Sequence, residues 1–239
     1  MSVIHGLDRT KGLDLLLHTP GGDMAATESI IDYLRQMFGR DIRAIIPQIA
    51  MSGGSMIACA CKEIMMGQQS NIGPFDPQIG GVPAQAIKSE FERARREMSA
   101  DQKAAFVWQP IMQKYNLGFI STVEQAIVMA DAVVKQHLVD CMFHGEPNAT
   151  TLAQSIVDTL GSHAATYTHS RHIHKERAKD LGLRIVSLED DPDLQDAVLS
   201  VHHATMITFE QTPMFKIIEN QKGSSYISAH QSLLLGGPT

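Results

Sequence analysis

Glycine pairs close two apolar runs of this chain, and that punctuation restricts its fold more than any other feature of the sequence. His18-Thr19-Pro20-Gly21-Gly22-Asp23 follows the apolar stretch that begins at Leu13, and Met51-Ser52-Gly53-Gly54-Ser55 follows residues 42–50. Each unit reads as a strand that stops at glycines and hands over to a helix. After the first turn, Asp23 is placed to cap a helix whose apolar positions Ile30, Ile31, Leu34, Met37 and Phe38 recur at helical spacing, and Gly39 ends it. After the second, residues 55–61 read as a short apolar helix and residues 64–66 as another short strand. Strand, helix and strand in this order predict an α/β fold with right-handed crossovers, a mainly parallel sheet and helices on the outside.

The same turns carry the chemistry. Glycine tolerates positive φ and has no side chain in the way, so the N–H groups of such a corner can face a developing negative charge. Ser52 stands at the strand-to-helix switch, where a hydroxyl projects over the carboxyl ends of a sheet. Ser55, inside the first helical turn, is expected to cap or pack. A nucleophile on one strand end with backbone donors on its neighbour is the minimum needed to attack a carbonyl.

With 239 residues and 44 % apolar content, the chain is long enough for a full core. Its net charge of -6 carries no basic field for phosphate backbones, which argues against a nucleic-acid partner. Three cysteines, Cys59, Cys61 and Cys141, make neither a disulfide framework nor a spaced metal cluster. They read as buried free thiols of a reducing, cytoplasmic compartment. No run approaches the roughly twenty apolar residues that cross a bilayer, and no signal peptide is recognisable.

Downstream, residues 68–83 form a proline- and glycine-rich structured loop containing Gly73-Pro74-Phe75-Asp76-Pro77-Gln78. A charged helix should run to Met98, with an interruption near Trp108-Gln109-Pro110. Further helices are expected over 123–138, 151–160 and 175–181, and a last short strand over 183–188. Residues 193–207 fit helix or strand, and the final dozen residues are expected to fray. The first clear strand begins about a dozen residues in, so the chain reads as starting inside a longer pattern.

Together the Pro-Gly-Gly turn, the Ser52 turn, the Gly73 to Gln78 loop and residues 176–183 resemble the Clp-fold serine peptidases. Within them the chain looks most like the serine dehydrogenase proteinase family, related to signal peptide peptidase A. His169-Ser170-Arg171-His172-Ile173, Val201-His202-His203-Ala204 and Lys216-Ile217-Ile218-Glu219-Asn220 extend that resemblance over essentially all of residues 1–239 as one domain, apparently without the family's N-terminal segment. It implies a Clp/crotonase-like fold, a Ser52 nucleophile, Gly21 and Gly53 N–H groups as oxyanion donors, a polypeptide substrate, no cofactor or metal, and a homo-oligomer.

The proton acceptor is open. Clp-type peptidases carry a histidine about twenty-five residues after the nucleophile, where this chain has Asp76-Pro77. Signal peptide peptidase A uses a lysine from the following helices, which makes Lys88 and Lys103 candidates; burial can lower a lysine pKa enough for the task. His169 is the third, with an unperturbed pKa suited to general-base work near neutrality. Asp76 reads as a turn residue between prolines. Two other functions fit the same scaffold: crotonase-like handling of acyl-CoA thioesters, and a catalytically inactive assembly or binding module. The spacing of His169, His172 and His174 is not diagnostic of a metal site.

Overall fold

The computed structural model describes residues 2–161 and 168–230. The chain packs as two compact units, one formed by Gly12–Ser187 and the other by Met1–Lys11 with Leu188–Thr239. In the larger unit, β1 (Leu13–Leu16), β2 (Ile42–Ile46), β4 (Glu63–Met66) and β9 (Ile185–Ser187) form a fully parallel sheet in the order β1-β2-β4-β9. Leu13 lies opposite Ile42, Ala44 opposite Ile64, and Ile64 opposite Ile185. The central strands are nearly continuous Ile, Ala and Met and are buried; edge strand β1 alternates half-buried and exposed positions. On its exposed face Arg43 makes a bidentate pair with Asp14, the residue directly across the ladder, at 2.9 and 2.7 Å.

The run over residues 42–50 is not one strand. β2 ends at Ile46, the chain turns through Pro47 and Gln48, and β3 (Ile49–Ala50) enters a second sheet with β5 (Asn71–Ile72) and β8 (Ile173–His174). Proline has no N–H to continue the first ladder, and the break moves the next residues onto a new set of partners. Thr19 joins this second line by a parallel bridge to Ala50. Both glycine corners therefore leave the carboxyl ends of adjacent strands.

Helix α1 (Met24–Phe38) follows the first corner, with the Asp23 side chain accepting from Ala26 N–H and Gly39 at its end. Helix α2 (Gly53–Cys59) follows the second. A hairpin of β6 (Gln78–Ile79) and β7 (Val82–Pro83) leads into α3 (Ala84–Ala100). Next come α4 (Ala105–Met112), α5 (Phe119–His137), which continues into a π-helical turn over Leu138–Met142, α6 (Ala149–Leu160) and α7 (Lys175–Asp180). The expected interruption near Pro110 is absent: α4 runs through it, and the break falls earlier, where Asp101 adopts extended angles. Pro110 strands the carbonyl of Phe106, a residue that is 82 % exposed.

In the smaller unit, residues 193–207 resolve as part of α8 (Pro192–Gln211), capped by Asp191 with Pro192 in its first turn. A bulged antiparallel hairpin of β10 (Met214–Glu219) and β11 (Ser225–Ala229) follows. Ser228 and Ala229 are thus paired rather than frayed, with Lys216 and Met214 as partners, because the hairpin reaches further than sequence patterning indicates; residues 231–239 lie outside the described residues. No helix among the described residues is long and apolar enough to cross a membrane.

Candidate active site

Ser52 is the one non-glycine residue with positive φ among the described residues, at φ 51 and ψ −117. Such angles cost about 1–3 kcal/mol and persist only where the surroundings enforce them. Here the enforcement is local: Gly54 N–H donates to Met51 O at 2.8 Å and Met56 N–H to Ser52 O at 3.1 Å, so α2 begins immediately after the serine. The Ser52 hydroxyl does not cap the helix, and no described residue bonds to it. Three residues on, Ser55 is completely buried and behaves oppositely, donating to Ala50 O at 2.7 Å and accepting from Gly73 N–H at 2.9 Å. The expectation that Ser55 packs is met in that bridge.

The Pro-Gly-Gly corner lies directly against this elbow. A Cβ at Gly21 would stand 2.7 Å from Ser52 Cβ, 2.9 Å from Met51 O and 3.3 Å from Gly53 N, and Gly21 has φ +111, so no side chain is possible there. Gly53 is excluded from bearing a side chain by Thr27, whose Oγ1 would be 2.6 Å from a Cβ. Among the described residues nothing accepts from the N–H of Gly53. The Gly21 N–H differs: it donates to Thr19 Oγ1 at 3.0 Å.

The loop from Ser70 to Pro77 is buried at every position, which requires its polar groups to find partners. Asn71 N–H donates to Gln48 O, Gly73 N–H to Ser55 Oγ and Phe75 N–H to Leu160 O at the end of α6. Asp76 is therefore more than the turn residue the sequence indicates. Its carboxylate is wholly buried, with Oδ1 2.8 Å from His169 Nδ1 and Oδ2 accepting from Gln78 Nε2 at 3.0 Å. His169 comes from 93 residues later in the chain and keeps 26 % of its side chain exposed. A carboxylate only accepts, so Nδ1 donates, and in the neutral ring the lone pair is then on Nε2. The loop bearing Asp76 runs beside the elbow: a Cβ at Gly73 would stand 2.8 Å from Met51 Sδ and 3.5 Å from Met51 Cα.

Ser52, Gly21 and Gly53 thus come together, as do His169 and Asp76, and Gly73 with Ser55 links the two groups. No hydrogen bond joins Ser52 to His169 in this structure. Lys88 sits on α3 with its ammonium 4.0 Å from Glu124 of α5, and its side chain is 43 % exposed. Lys103 is exposed beside Asp101, which caps the short turn at Gln102–Ala104. Neither lysine bonds to the serine elbow. Trp108 is buried, with its indole N–H donating to Glu97 of α3 at 2.8 Å.

All three cysteines are free and buried. Burial pushes the Cys59 thiol up to about 12 and raises Cys61 and Cys141 as well, which keeps them protonated and inert. His18, next to the Pro-Gly-Gly corner, has its pKa lowered by burial. Among the described residues no group of His, Cys, Asp and Glu could hold a metal ion. The role of Asp76 escaped the sequence because its partner is remote and its burial depends on a loop without periodicity.

The chain is similar to two proteins of Methanocaldococcus jannaschii, uncharacterized proteins MJ0137 and MJ1495. It is 30 % identical to the first over 77 % of this chain and 57 % of that protein, and 31 % identical to the second over 72 % and 51 %. The chain thus spans about half the length of these curated relatives. No solved structure matches it. The profile of one family, described as ClpP-like SDH-type serine proteinase, matches residues 2–198, nearly the whole chain, and the α/β architecture with its parallel sheet agrees with it. On that match, the chain belongs to the ClpP-like serine proteinase family of the SDH type.

Proposed function

We propose that this chain is a serine peptidase in which Ser52 attacks a peptide carbonyl and forms an acyl-enzyme. The observation that carries this reading is the Ser52 elbow itself, a serine at positive φ whose hydroxyl is withheld from helix capping and whose Cβ lies against Gly21. His169 Nε2 takes the hydroxyl proton as the Oγ–C bond forms and returns it to the leaving amine. Water then attacks the ester, and its proton passes through the same nitrogen. Asp76 holds the Nδ1–H tautomer and stabilises the imidazolium. The N–H groups of Gly53 and Gly21 receive the oxyanion.

His169 is the favoured base over Lys88 and Lys103 because it alone of the three is oriented by a buried carboxylate. It lies beyond hydrogen-bond reach of Ser52 here, and such bonds often tighten only once substrate is bound. The buried free thiols fit a reducing, cytoplasmic compartment, and membership of the family supports a polypeptide substrate and a homo-oligomer.

The test is labelling with a fluorophosphonate. Wild type is expected to be modified at Ser52 and Ser52→Ala not at all, while Asp76→Asn reacts about 10³–10⁴-fold more slowly. Equal labelling of wild type and Ser52→Ala returns the chain to the inactive binding-module reading.

A further inference from the structure

Thr19 is tied to the two halves of the site by five contacts. Its backbone N–H donates to Ile49 O at 3.0 Å and its carbonyl accepts from Met51 N–H at 3.0 Å, which fixes it to the strand that ends at Ser52. Its methyl Cγ2 would be 2.5 Å from a Cβ at Gly54, so it packs on the first turn of α2. Its hydroxyl accepts from Gly21 N–H at 3.0 Å and directs its own proton toward Gly21 O at 3.5 Å. One residue thus touches the serine strand, the serine helix and the glycine corner.

Gly21 stands at φ +111, in a region only glycine visits freely, and glycine has the most conformational freedom to lose. A corner of this kind drifts unless something pins it. The threonine hydroxyl supplies the pin, and it is a neutral acceptor on the same amide that a tetrahedral oxyanion would use. A charged oxygen is the stronger acceptor by a wide margin. The N–H is therefore satisfied while the site is empty and can be taken over when charge develops, without the corner having to reorganise.

We propose that Thr19 is a positioning residue for the oxyanion corner: its hydroxyl holds the Gly21 amide in register with Ser52 and yields it to the substrate oxygen in the transition state. This rests on the Ser52 reading above. Thr19 touches no reacting atom, so its signature is a loss of rate rather than of binding.

The experiment follows fluorophosphonate labelling of the full chain, separating the maximal inactivation rate from the half-saturating probe concentration. Thr19→Val, which keeps the shape and removes the hydroxyl, is expected to lower the maximal rate at least tenfold with half-saturation changed less than twofold. Thr19→Ser, which keeps the hydroxyl and loses the methyl, is expected to label within threefold of wild type. Should the valine variant fail to fold, Thr19→Ala against Thr19→Ser makes the same comparison, since both lack the methyl. Wild-type labelling by the hydroxyl-free variant, or a serine variant no better than it, overturns the proposal and leaves the Ser52 reading standing. A wild-type chain that is never labelled at Ser52 overturns both.

Discussion

Asp131 is a carboxylate whose ionised form the fold penalises. It lies on α5, half-buried, with no hydrogen bond to any described residue, and its Oδ1 is 2.7 Å from where a Cβ of Gly161 would stand. Burial, followed by the negative charge of Asp158 on α6, pushes its pKa up to about 6 from an ordinary 3.8. A raised acid binds its proton more tightly folded than unfolded, so this group favours the folded state increasingly as pH falls from about 6 towards 4. Above that window it is ionised in both states, and the full penalty is present. Holding a carboxyl that far above its ordinary value corresponds to roughly 3 kcal/mol, reduced to about 1 kcal/mol because solvent screens a half-exposed group. Asp131→Asn is therefore expected to raise the melting temperature by about 2–4 °C at pH 8 and to leave it unchanged at pH 4. Thermal unfolding across pH 4–8 measures this; a gain that persists at pH 4 would assign the effect to something other than ionisation.

The two serines of the elbow differ at the level of the elements they join. Ser55 bridges β3 to the buried loop that carries Asp76, whereas the Ser52 hydroxyl bonds to no described residue. Ser55→Ala would leave the Gly73 N–H and the Ala50 carbonyl short of a partner, a loss of about 1–3 kcal/mol. Ser52→Ala should shift stability by no more than about 0.5 kcal/mol. Urea unfolding of the two variants separates them, and equal midpoints would mean that the bridge does not hold the loop. This contrast also marks how far the sequence is legible. The α1 boundaries follow from Asp23 and Gly39, and the parallel sheet follows from the apolar runs, because caps and periodicity are local properties. Gly21, Ser52 and Gly53 are legible for the same reason. The split at Pro47, the passage of α4 through Pro110 and the Asp76 to His169 pair are not, since each is decided by partners distant in the chain. A buried loop has no periodicity to announce it, and a carboxylate between prolines looks the same from sequence whether it turns the chain or orients a histidine.

At the scale of the molecule, exposed apolar side chains occur on α4, on α5 and on the turn between them in the larger unit. Phe106, Val107, Leu117 and Val128 are each well over half exposed, and Val128 and Met129 line a shallow groove along α5 with Ser121, Glu124, Gln125 and Ala132. Single exposed apolar residues need no explanation, whereas an apolar groove such as that of α5 is a candidate surface for another protein to cover. A stable interface removes about 800 Å² per partner, and its core excludes charge. If self-association of this chain uses the α5 groove, a carboxylate at its centre has to be desolvated without a counter-ion. Val128→Asp is then expected to weaken the assembly at least tenfold, equivalent to about 1.4 kcal/mol, while the exposed position leaves the fold of the protomer intact. Sedimentation velocity of both proteins at micromolar concentration reads this directly: wild type should run larger than a protomer and the variant should shift towards one. An unshifted variant would move the interface to another surface, and a monomeric wild type would remove self-association from the account of this chain.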